Sequence, residues 1–408
     1  MALPRRRGYR IREGKGKLMR ELRIGLIGSG FMGQAHADAF RRAALLYRDL
    51  PARPLLAMIA ERDASLAALA AERLGFKRST GDWRTLVNDP AIDVVDITSP
   101  NNLHHDMAIA AIEAGKHVYC EKPLAVTLGE AEAMHAGAAR SGVKTMVAFN
   151  NVKTPAAMLA RKLIGEGAIG RPIRFRGWFD QGFFSDPELP YSWRCSRAEA
   201  GSGALGDLGS HVISVAQYLI GEIESVVASA QKIFASRPLA AGGEGYSAVA
   251  GAGAKRRDVE NEDQMQCLIR FASGAAGTIE ASRVAAGKVF GIAWEVSGTE
   301  GTILMDGERF NELQVARLSE PKGERGFKTL FAGSQVPQYK AFFGFDYGGG
   351  GLGYYDVKVI EVRDLIAGIC GEGDCFPNFA FGLRNQEIVA AIEASIKSGR
   401  WERVGRAA

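Results

Sequence analysis

A lysine, an aspartate and a histidine stand at positions from which one active site could be built. Lys122 directly follows a short apolar run, whereas Asp207 and His211 lie four residues apart in a segment predicted to be helical. Residues four apart share one face of a helix. A neutral histidine can accept a proton near ambient pH, and a lysine ammonium can stabilise negative charge that develops on oxygen. These residue types therefore suit removal of a proton from a hydroxyl group.

The roles within this trio follow from residue chemistry. We predict that His211 is the base, that Lys122 polarises the hydroxyl oxygen, and that Asp207 orients both; an exchange of the first two roles stays open. A position near a helix N-terminus is expected to disfavour the imidazolium and keep His211 neutral. Taken singly, each residue has a structural explanation, such as helix capping for the aspartate. Only the combination argues for catalysis.

A second group of residues has the chemistry of a phosphate-binding turn. An apolar run ends in Gly28-Ser29-Gly30-Phe31-Met32-Gly33, and a helical pattern follows. Gly28 permits a tight turn, Gly30 lets the backbone approach a pyrophosphate, and Gly33 lets the helix pack closely. The helix N-terminus then faces the phosphate charge. Gly28, Gly30, Phe31, Met32 and Gly33 are therefore predicted to contact a dinucleotide.

The type of dinucleotide depends on the residues after the second predicted strand. Glu61 can accept hydrogen bonds from the adenosine ribose hydroxyls, which favours NAD and repels a 2′-phosphate. Arg62, beside it, can instead bind that phosphate, so NADP stays the alternative. We predict that both residues contact the cofactor and that the cofactor is NAD.

Strands and helices alternate from residue 21 to residue 150, as expected of a parallel sheet that is covered on both faces. The predicted strands are Leu22–Gly28, Leu55–Ala60, Val94–Thr98, His117–Cys120 and Lys144–Ala148, and the predicted helices are Ala35–Tyr47, Ala64–Leu74, Leu103–Ala114 and Leu128–Ser141. Ligands of such sheets bind at the carboxyl ends of the strands, where the glycine turn and Lys122 lie.

Residues 151–408 have a different sequence pattern, in which long strands with alternating apolar and polar residues are separated by hairpin turns. In Met265–Phe271, every second residue is apolar, which is typical of a strand with one covered face. Two stretches rich in glycine and alanine, Arg237–Asp258 and Phe342–Gly353, are predicted to be long loops. Two helices, Tyr355–Ile369 and Leu383–Lys397, are predicted to close the chain.

The glycine turn, Glu121-Lys122-Pro123 and the Asp207-x-x-x-His211 segment together resemble the family of glucose–fructose oxidoreductase, inositol dehydrogenase and MocA. The resemblance extends from Gly28 to the Gly382–Glu387 segment. It implies an α/β Rossmann domain (21–150) followed by an α+β domain (151–408) with a large, mostly antiparallel open sheet. It also implies a homodimer or homotetramer assembled through the sheets, and it makes Lys122, Asp207 and His211 the catalytic residues.

Further contacts are predicted with less direct support from the residues themselves. The predicted additional cofactor contacts are Ser99, Pro100, Asn101, His104, Glu121 and Lys122, and the predicted substrate contacts are Asn150, Trp193, Arg194, Asp207 and His211. Many relatives carry an arginine or a tyrosine just after Asn150, whereas Asn151-Val152-Lys153 follows here. The substrate pocket is therefore expected to differ from theirs.

These residues predict an NAD(P)-dependent dehydrogenase that oxidises a ring secondary hydroxyl of a sugar, anhydrosugar or cyclitol. An alternative uses the same oxidation transiently, because a ring ketone acidifies the neighbouring C–H and permits elimination of a glycosidic group. A non-enzymatic, cofactor-binding regulator is a third possibility, against which the intact Lys122, Asp207 and His211 argue.

Composition narrows the other functional classes. The net charge of the 408 residues is only +5, and eight of the basic residues fall within a predicted disordered tail, 1–20, so no nucleic-acid partner is expected. No apolar stretch is long enough for a membrane span. Five cysteines without disulfide or zinc spacing favour reduced thiols in a cytoplasmic protein, and no metal site is expected.

Overall fold

Six parallel strands form the first sheet of the structure, a computed structural model that describes residues 20–242, 248–251, 253–343 and 351–405. The strands are β1 (Arg20–Ile27), β2 (Ala52–Ala60), β3 (Arg78–Thr80), β4 (Val94–Ile97), β5 (His117–Cys120) and β6 (Thr145–Val147), in the order β3-β2-β1-β4-β5-β6. The order reverses direction between β1 and β4, and this is the point at which such sheets bind ligands.

Five helices cover this sheet: α1 (Phe31–Leu46), α2 (Ala64–Leu74), α3 (Trp83–Val87), α4 (His104–Glu113) and α5 (Leu128–Ser141). Their ends follow the local sequence. Asp63 caps α2 by accepting from the Leu66 N–H, and Thr127 forms a capping box with Glu130 at the start of α5. Helix α1 begins inside the glycine motif, four residues before the predicted start, so that Gly33 belongs to its first turn.

Nine strands form the second sheet, and all neighbours in it are antiparallel except β7 and β14. Its strands are β7 (Pro172–Asp180), β8 (Ile223–Gln231), β13 (Gln264–Phe271), β14 (Ala276–Ser282), β15 (Gly291–Gly298), β16 (Gly301–Asp306), β17 (Glu312–Arg317), β18 (Lys328–Phe331) and β19 (Glu402–Arg403), in the order β18-β17-β16-β15-β7-β14-β13-β8-β19. Two small antiparallel pairs lie outside this sheet: β9 (Ser236–Pro238) with β12 (Arg256–Asp258), and β10 (Ala240–Gly242) with β11 (Val249–Ala250).

The helices of the second half are α6 (Pro155–Gly165), α7 (Arg197–Ala200), α8 (Ser210–Leu219), α9 (Tyr354–Ile369) and α10 (Phe379–Ser398). Helix α8 is preceded directly by a π-helical turn, Leu205–Gly209. The last two helices return to the first sheet, since α9 packs along α1 and α10 packs against α5. One continuous hydrophobic core therefore includes residues from both sheets.

The predicted fold class, a Rossmann domain plus an α+β region with a large, mostly antiparallel sheet, is confirmed. Strand β3 was not predicted, because its three residues form a polar sheet edge without an apolar pattern. Arg20, assigned to the basic tail, instead opens β1, and residues 1–19 lie outside the described part of the chain. The predicted loop Arg237–Asp258 contains four short strands, and most of Phe342–Gly353 lies outside the described residues.

Strand β13 shows how alternation in sequence becomes a one-sided sheet. Met265, Cys267 and Ile269 are almost fully buried against the helices, whereas Leu268 is 52% exposed on the opposite face. Side chains of successive strand residues point to opposite faces, so the apolar positions of the sequence identify the covered face.

We expect replacement of Ile269 by alanine to cost about 2–5 kcal/mol of unfolding free energy, because it leaves a cavity in the core. The matched Leu268→Ala variant is expected to change that free energy by less than about 0.5 kcal/mol, because its side chain packs little. Chemical denaturation of both variants, followed by circular dichroism, measures the two values. Equal losses would contradict the exposure of Leu268.

Candidate active site

The glycine turn after β1 has the geometry that the approach of a phosphate requires. Gly28 has a φ of +98°, a left-handed conformation that favours glycine, and a Cβ at Gly33 would lie 2.2 Å from the Gly28 carbonyl oxygen. A Cβ at Gly30, in contrast, would meet no atom within 4 Å. Gly28 and Gly33 are thus fixed by packing, and Gly30 leaves an open approach to the backbone at the start of α1. The turn fits a dinucleotide pyrophosphate.

Glu61 lies against this turn. One of its carboxylate oxygens accepts from the Ser29 main-chain N–H at 2.5 Å, and the other accepts from the Arg62 N–H at 3.2 Å. The carboxylate is therefore held at the end of β2, beside the phosphate-binding turn. This is where an acidic residue meets the adenosine ribose of a bound dinucleotide. Arg62 itself is exposed.

Lys122, at the turn that follows β5, reaches across to the helix of the second half. Its Nζ donates to the Asp207 carboxylate and to the Asp207 main-chain oxygen, both at 2.9 Å. The Lys122 and Asp207 side chains are only 16% and 23% exposed. Burial alone would raise the pKa of Asp207, but the charges of Lys122 and Arg194 hold that pKa well below its ordinary value. Asp207 is therefore an ionised carboxylate beside a lysine ammonium.

His211 lies one turn further along the same helix and is 5% exposed. Phe149 and Phe179 pack edge-on against its ring, and its Nδ1 has no hydrogen-bond partner. Burial, followed by the positive charge of Lys122, lowers the pKa of His211 well below the ordinary value. The neutral imidazole was predicted, but the reason differs. The helix runs continuously from residue 204, so His211 lies beyond the first turn, where the dipole acts most strongly.

The segment before the helix is shaped by Glu262, which sequence reasoning missed. The Glu262 carboxylate accepts from the main-chain N–H groups of Gly203 and Leu205, at 2.7 and 3.0 Å. A Cβ at Gly203 would lie 1.9 Å from the Glu262 carbonyl oxygen, so only glycine fits there. Glu262 thus fixes the start of the helical turn that carries Asp207.

Asp207 also connects to the predicted substrate residues Trp193 and Arg194. Its second carboxylate oxygen accepts from Arg194 Nε at 3.3 Å, and the Arg194 guanidinium stacks on Trp193 at 4.5 Å. The Arg194 main-chain oxygen accepts from Asn261 and from the buried Arg283. Lys122, Asp207 and Arg194 therefore form one charged row, with Trp193 at its end.

Asn150, at the end of the last strand of the first sheet, is 1% exposed, and its Oδ1 has no hydrogen-bond partner. Tyr354, on α9, lies close to Asn150, and burial raises the pKa of the Tyr354 hydroxyl. The Tyr354 ring also stacks near Phe31 of the glycine motif, and its hydroxyl lies 3.9 Å from Met32 Sδ. Tyr354 thus links the predicted substrate and cofactor residues.

The loop after β4 is only partly open. Pro100 is exposed and Ser99 is half-buried, while Asn101 donates to the Ala200 main-chain oxygen at 3.2 Å. His104 is fully buried, with its ring nitrogens 2.9 and 3.1 Å from the main-chain oxygens of Pro123 and Ser99. The structure therefore places Ser99, Pro100 and Asn101 at the cleft, but it does not place the His104 side chain there. His104 instead holds two loops together.

The Glu121 side chain is almost fully enclosed by protein groups. Its carboxylate lies within hydrogen-bond distance of His36 Nε2 and Lys358 Nζ, at 3.0 and 2.8 Å, and it accepts from the Lys122 main-chain N–H. The charge of Lys358 outweighs burial and holds the pKa of Glu121 well below its ordinary value. Glu121 was predicted to contact the cofactor, but the structure uses its carboxylate beneath the turn that carries Lys122.

Helix α9 carries three buried or half-buried polar residues that the sequence analysis did not predict, although their spacing in the sequence indicates a shared helix face. Tyr354, Lys358 and Glu361 are spaced by four and three residues on an otherwise apolar face, so they project on one side of the helix. Polar residues at buried helix positions need partners. The sequence does not reveal which partners they meet, because these partners lie more than 200 residues away.

Two other features concern the described residues alone. Within residues 20–242, 248–251, 253–343 and 351–405, no cluster of three or more His, Cys, Asp or Glu side chains could hold a metal ion. No helix in that part of the chain is long and apolar enough to cross a membrane.

Two family models match this sequence. The NAD-binding Rossmann-fold model of the GFO/IDH/MocA oxidoreductase family matches residues 22–149, and the family's C-terminal domain model matches residues 158–304. The predicted dinucleotide cofactor and the predicted oxidoreductase class are confirmed by these matches.

Similar proteins have related activities. The chain is 44% identical to a levoglucosan dehydrogenase from Pseudarthrobacter phenanthrenivorans, with 94% of this chain and 98% of the relative covered. It is 31% identical to a scyllo-inositol 2-dehydrogenase from Bacillus subtilis, with 72% and 77% covered.

Solved structures extend this similarity to the fold. An NAD-binding oxidoreductase from Klebsiella pneumoniae is 63% identical, with a TM-score of 0.89 over 95% of this chain and all of that chain. A levoglucosan dehydrogenase in complex with NADH and L-sorbose is 43% identical, with a TM-score of 0.90 and the same coverage. The chain therefore belongs to the Gfo/Idh/MocA family of NAD-binding oxidoreductases.

Proposed function

We propose that this protein oxidises a ring secondary hydroxyl of an anhydrosugar or a related sugar or cyclitol, with NAD as hydride acceptor. The observation that carries the proposal is the pairing of a lysine ammonium and a buried, neutral histidine around Asp207 at the sheet edge. This pairing provides a hydrogen-bond donor and a base for the same substrate oxygen.

The division of roles rests on the contacts of each residue. Two hydrogen bonds to Asp207 orient Lys122 Nζ and leave its third N–H for the substrate oxygen. His211 accepts the hydroxyl proton as the C–H bond breaks, so an alcohol becomes a ketone with loss of one proton and one hydride. When bound, NAD accepts that hydride at its nicotinamide ring. Asp207 fixes the geometry of Lys122 and keeps its charge compensated.

Recognition of the ring is assigned to the residues that surround this pair. Trp193 offers an aromatic face to a sugar ring, and Arg194 and Asn150 offer polar groups to further hydroxyls. A buried amide oxygen without a partner, as in Asn150, is satisfied when a ligand hydroxyl donates to it. The cofactor is assigned to Gly28–Gly33, Glu61, Arg62 and the exposed loop Ser99–Asn101.

The range of substrates is inferred from the relatives. The levoglucosan dehydrogenase acts on an anhydrosugar, and the inositol dehydrogenase acts on a cyclitol, and both classes present ring secondary hydroxyls. We therefore rank anhydrosugars first and cyclitols second. We assign residues 21–150 to cofactor binding and 151–408 to substrate binding and to assembly of a homo-oligomer through the open sheet face.

Formation of NADH at the nicotinamide absorbance band, measured over a panel of anhydrosugars, monosaccharides, cyclitols and glycosides, tests the proposal. NAD and NADP are supplied in parallel. Turnover of an anhydrosugar or a sugar with NAD is expected. Cleavage of a glycoside without net NADH would instead favour transient oxidation followed by elimination, and a silent panel with bound cofactor would contradict the proposed substrate class.

Loss of the base is expected to affect turnover far more than cofactor binding. We predict that His211→Gln lowers kcat by about 10²–10⁴-fold, the usual contribution of a general base, whereas the Kd for NADH stays near the wild-type value. Steady-state kinetics and NADH fluorescence titration measure the two quantities. A variant that keeps wild-type kcat on the same sugar would show that His211 is not the base.

The pH dependence of kcat/KM tests the role of His211 as the base independently. Since His211 acts only when neutral and its pKa is lowered, kcat/KM should fall on the acid side at a pH below about 6.5, the ordinary histidine pKa. An acid limb above that value would contradict the buried, lysine-facing environment of His211.

The cofactor preference is assigned to Glu61. We predict that Glu61→Ser weakens NAD binding by about 10–100-fold, because a charged hydrogen-bonding group is lost. The preference for NAD over NADP is expected to become smaller. Asp63→Ser is the matched control, because Asp63 caps α2 two residues later and serine retains that function. Equal effects of the two substitutions on NAD binding would contradict the assignment.

A further inference from the structure

Six buried ionisable side chains form a continuous chain of contacts beneath the turn that carries Lys122. In order they are Asp96, His36, Glu121, Lys358, Glu361 and Tyr119, with neighbouring atoms 2.7–3.1 Å apart. They come from α1, β4, β5, the turn after β5 and α9. A buried charge is costly unless it is paired.

Glu121 is the member of this chain that touches the active site. Its Oε1 lies 3.0 Å from His36 Nε2 and 2.8 Å from Lys358 Nζ, and its Oε2 accepts from the Lys122 main-chain N–H at 3.0 Å. The side chain of Glu121 therefore braces the backbone of Lys122. Lys122 then reaches Asp207 from this fixed backbone.

Lys358 provides the compensating positive charge. Its side chain is 1% exposed, and it lies within 3.1 Å of both Glu121 and Glu361. Burial lowers the pKa of Lys358, but the two carboxylates more than reverse this effect and raise it above the ordinary value. Without Lys358, the Glu121 carboxylate would keep only His36 as a cationic neighbour, and His36 is shared with Asp96.

We propose that Lys358 is a positioning residue for Lys122: by holding Glu121 in place, it fixes the backbone from which Lys122 reaches the reacting hydroxyl. The inference rests on the proposed function, because it assigns Lys122 to that hydroxyl. It also gives the return of α9 to the first sheet a role. The same face of α9 places Tyr354 beside Asn150 and Met32, one turn before Lys358.

The charge of Lys358 also acts electrostatically on His211, the proposed base. The charged groups that act on His211 are Lys122, Glu121, Asp207 and Lys358. The two lysines lower the pKa of His211, and the two carboxylates raise it. Loss of Lys358, or displacement of Lys122 as a consequence, therefore raises the pKa of His211. Loss of the charge alone has this effect, so the hydrogen bond between Glu121 and the Lys122 main-chain N–H is followed separately at the Lys122 amide.

The test is the Lys358→Met variant, which keeps the length and the apolar stem of the side chain. A displacement of a catalytic group by about 1 Å can lower the reaction rate by about 100-fold, so we expect kcat to fall by about that factor. The Kd for NADH is expected to change by less than about threefold. The acid limb of kcat/KM should move to higher pH. Lys116→Met is the matched control, because Lys116 is also buried but donates only to the main-chain oxygens of Asp89 and Ile92.

A readout that needs no substrate separates this inference from the proposed function. The chain has six histidines, so ¹³C-labelled histidine with the His211→Gln variant assigns the His211 resonance. We expect its titration midpoint to rise in Lys358→Met and to stay unchanged in Lys116→Met. If wild-type protein oxidises no sugar but the Lys122 main-chain amide resonance, which reports the hydrogen bond to Glu121, shifts in Lys358→Met and not in Lys116→Met, the proposed function fails and the positioning role stands.

If Lys358→Met does not fold, the double variant Glu121→Gln/Lys358→Met removes the Lys358 and Glu121 charges together, while Glu361 keeps its hydrogen bond from Tyr119. In this variant the amide at position 121 has neither a negative charge nor Lys358 to hold it against the Lys122 main-chain N–H. The Lys122 backbone is then less well fixed, so reduced kcat with near-normal NADH binding is again expected. Wild-type kcat in a folded variant, or a Lys122 amide resonance that is unshifted in Lys358→Met, would overturn the proposal. A loss of kcat equal to that of Lys116→Met would overturn it as well.

Discussion

The ion pair between Lys122 and Asp207 joins the carboxyl edge of the parallel sheet to the helix that carries His211. Because Lys122 Nζ also donates to the Asp207 main-chain oxygen, it holds the backbone of this helical turn as well as its side chain. The same carboxylate bonds Arg194, which brings the Trp193 segment into the arrangement. The groups proposed for proton chemistry, the groups proposed for ring recognition and the contact between the two halves of the chain therefore meet at one carboxylate.

This contact is supported from both sides by groups that are largely or fully buried. On one side, Glu262 holds the start of the Asp207 turn, and Asn261 and Arg283 hold the Arg194 backbone. On the other side, Glu121 braces the Lys122 backbone and is itself neutralised by Lys358 of α9. Buried charges that are fully paired specify one geometry, whereas unpaired ones would destabilise it. The position of α9 against α1 is thus linked to the position of the reactive groups.

The sequence was sufficient for the parts of the fold that local rules determine. The turn at Gly28 needs a positive φ, the strands around Val95 are mostly apolar, and the alternation around Ile269 identifies the covered face. Lys122 does contact Asp207, and His211 lies one turn further along the same helix; the family resemblance, and not a local rule, predicted this association.

What the sequence could not supply was the set of long-range partners. His104 and Glu121 stand within motifs that suggest cofactor contact, yet both side chains are buried and bonded to other parts of the protein. The neutral state of His211 was expected from a helix end, whereas burial and Lys122 cause it. Lys358 lies 237 residues from Glu121, and no local pattern encodes that contact.

Transfer of deuterium from a sugar to the cofactor tests the central claim most directly. The protein would be supplied with NAD and a levoglucosan deuterated at every ring carbon, and the NADH formed would be analysed by mass spectrometry. The account predicts NADH that carries one deuterium at the nicotinamide ring together with a ketone one deuterium poorer. Unlabelled NADH, or consumption of the sugar without any labelled cofactor, would contradict direct hydride transfer from a ring carbon.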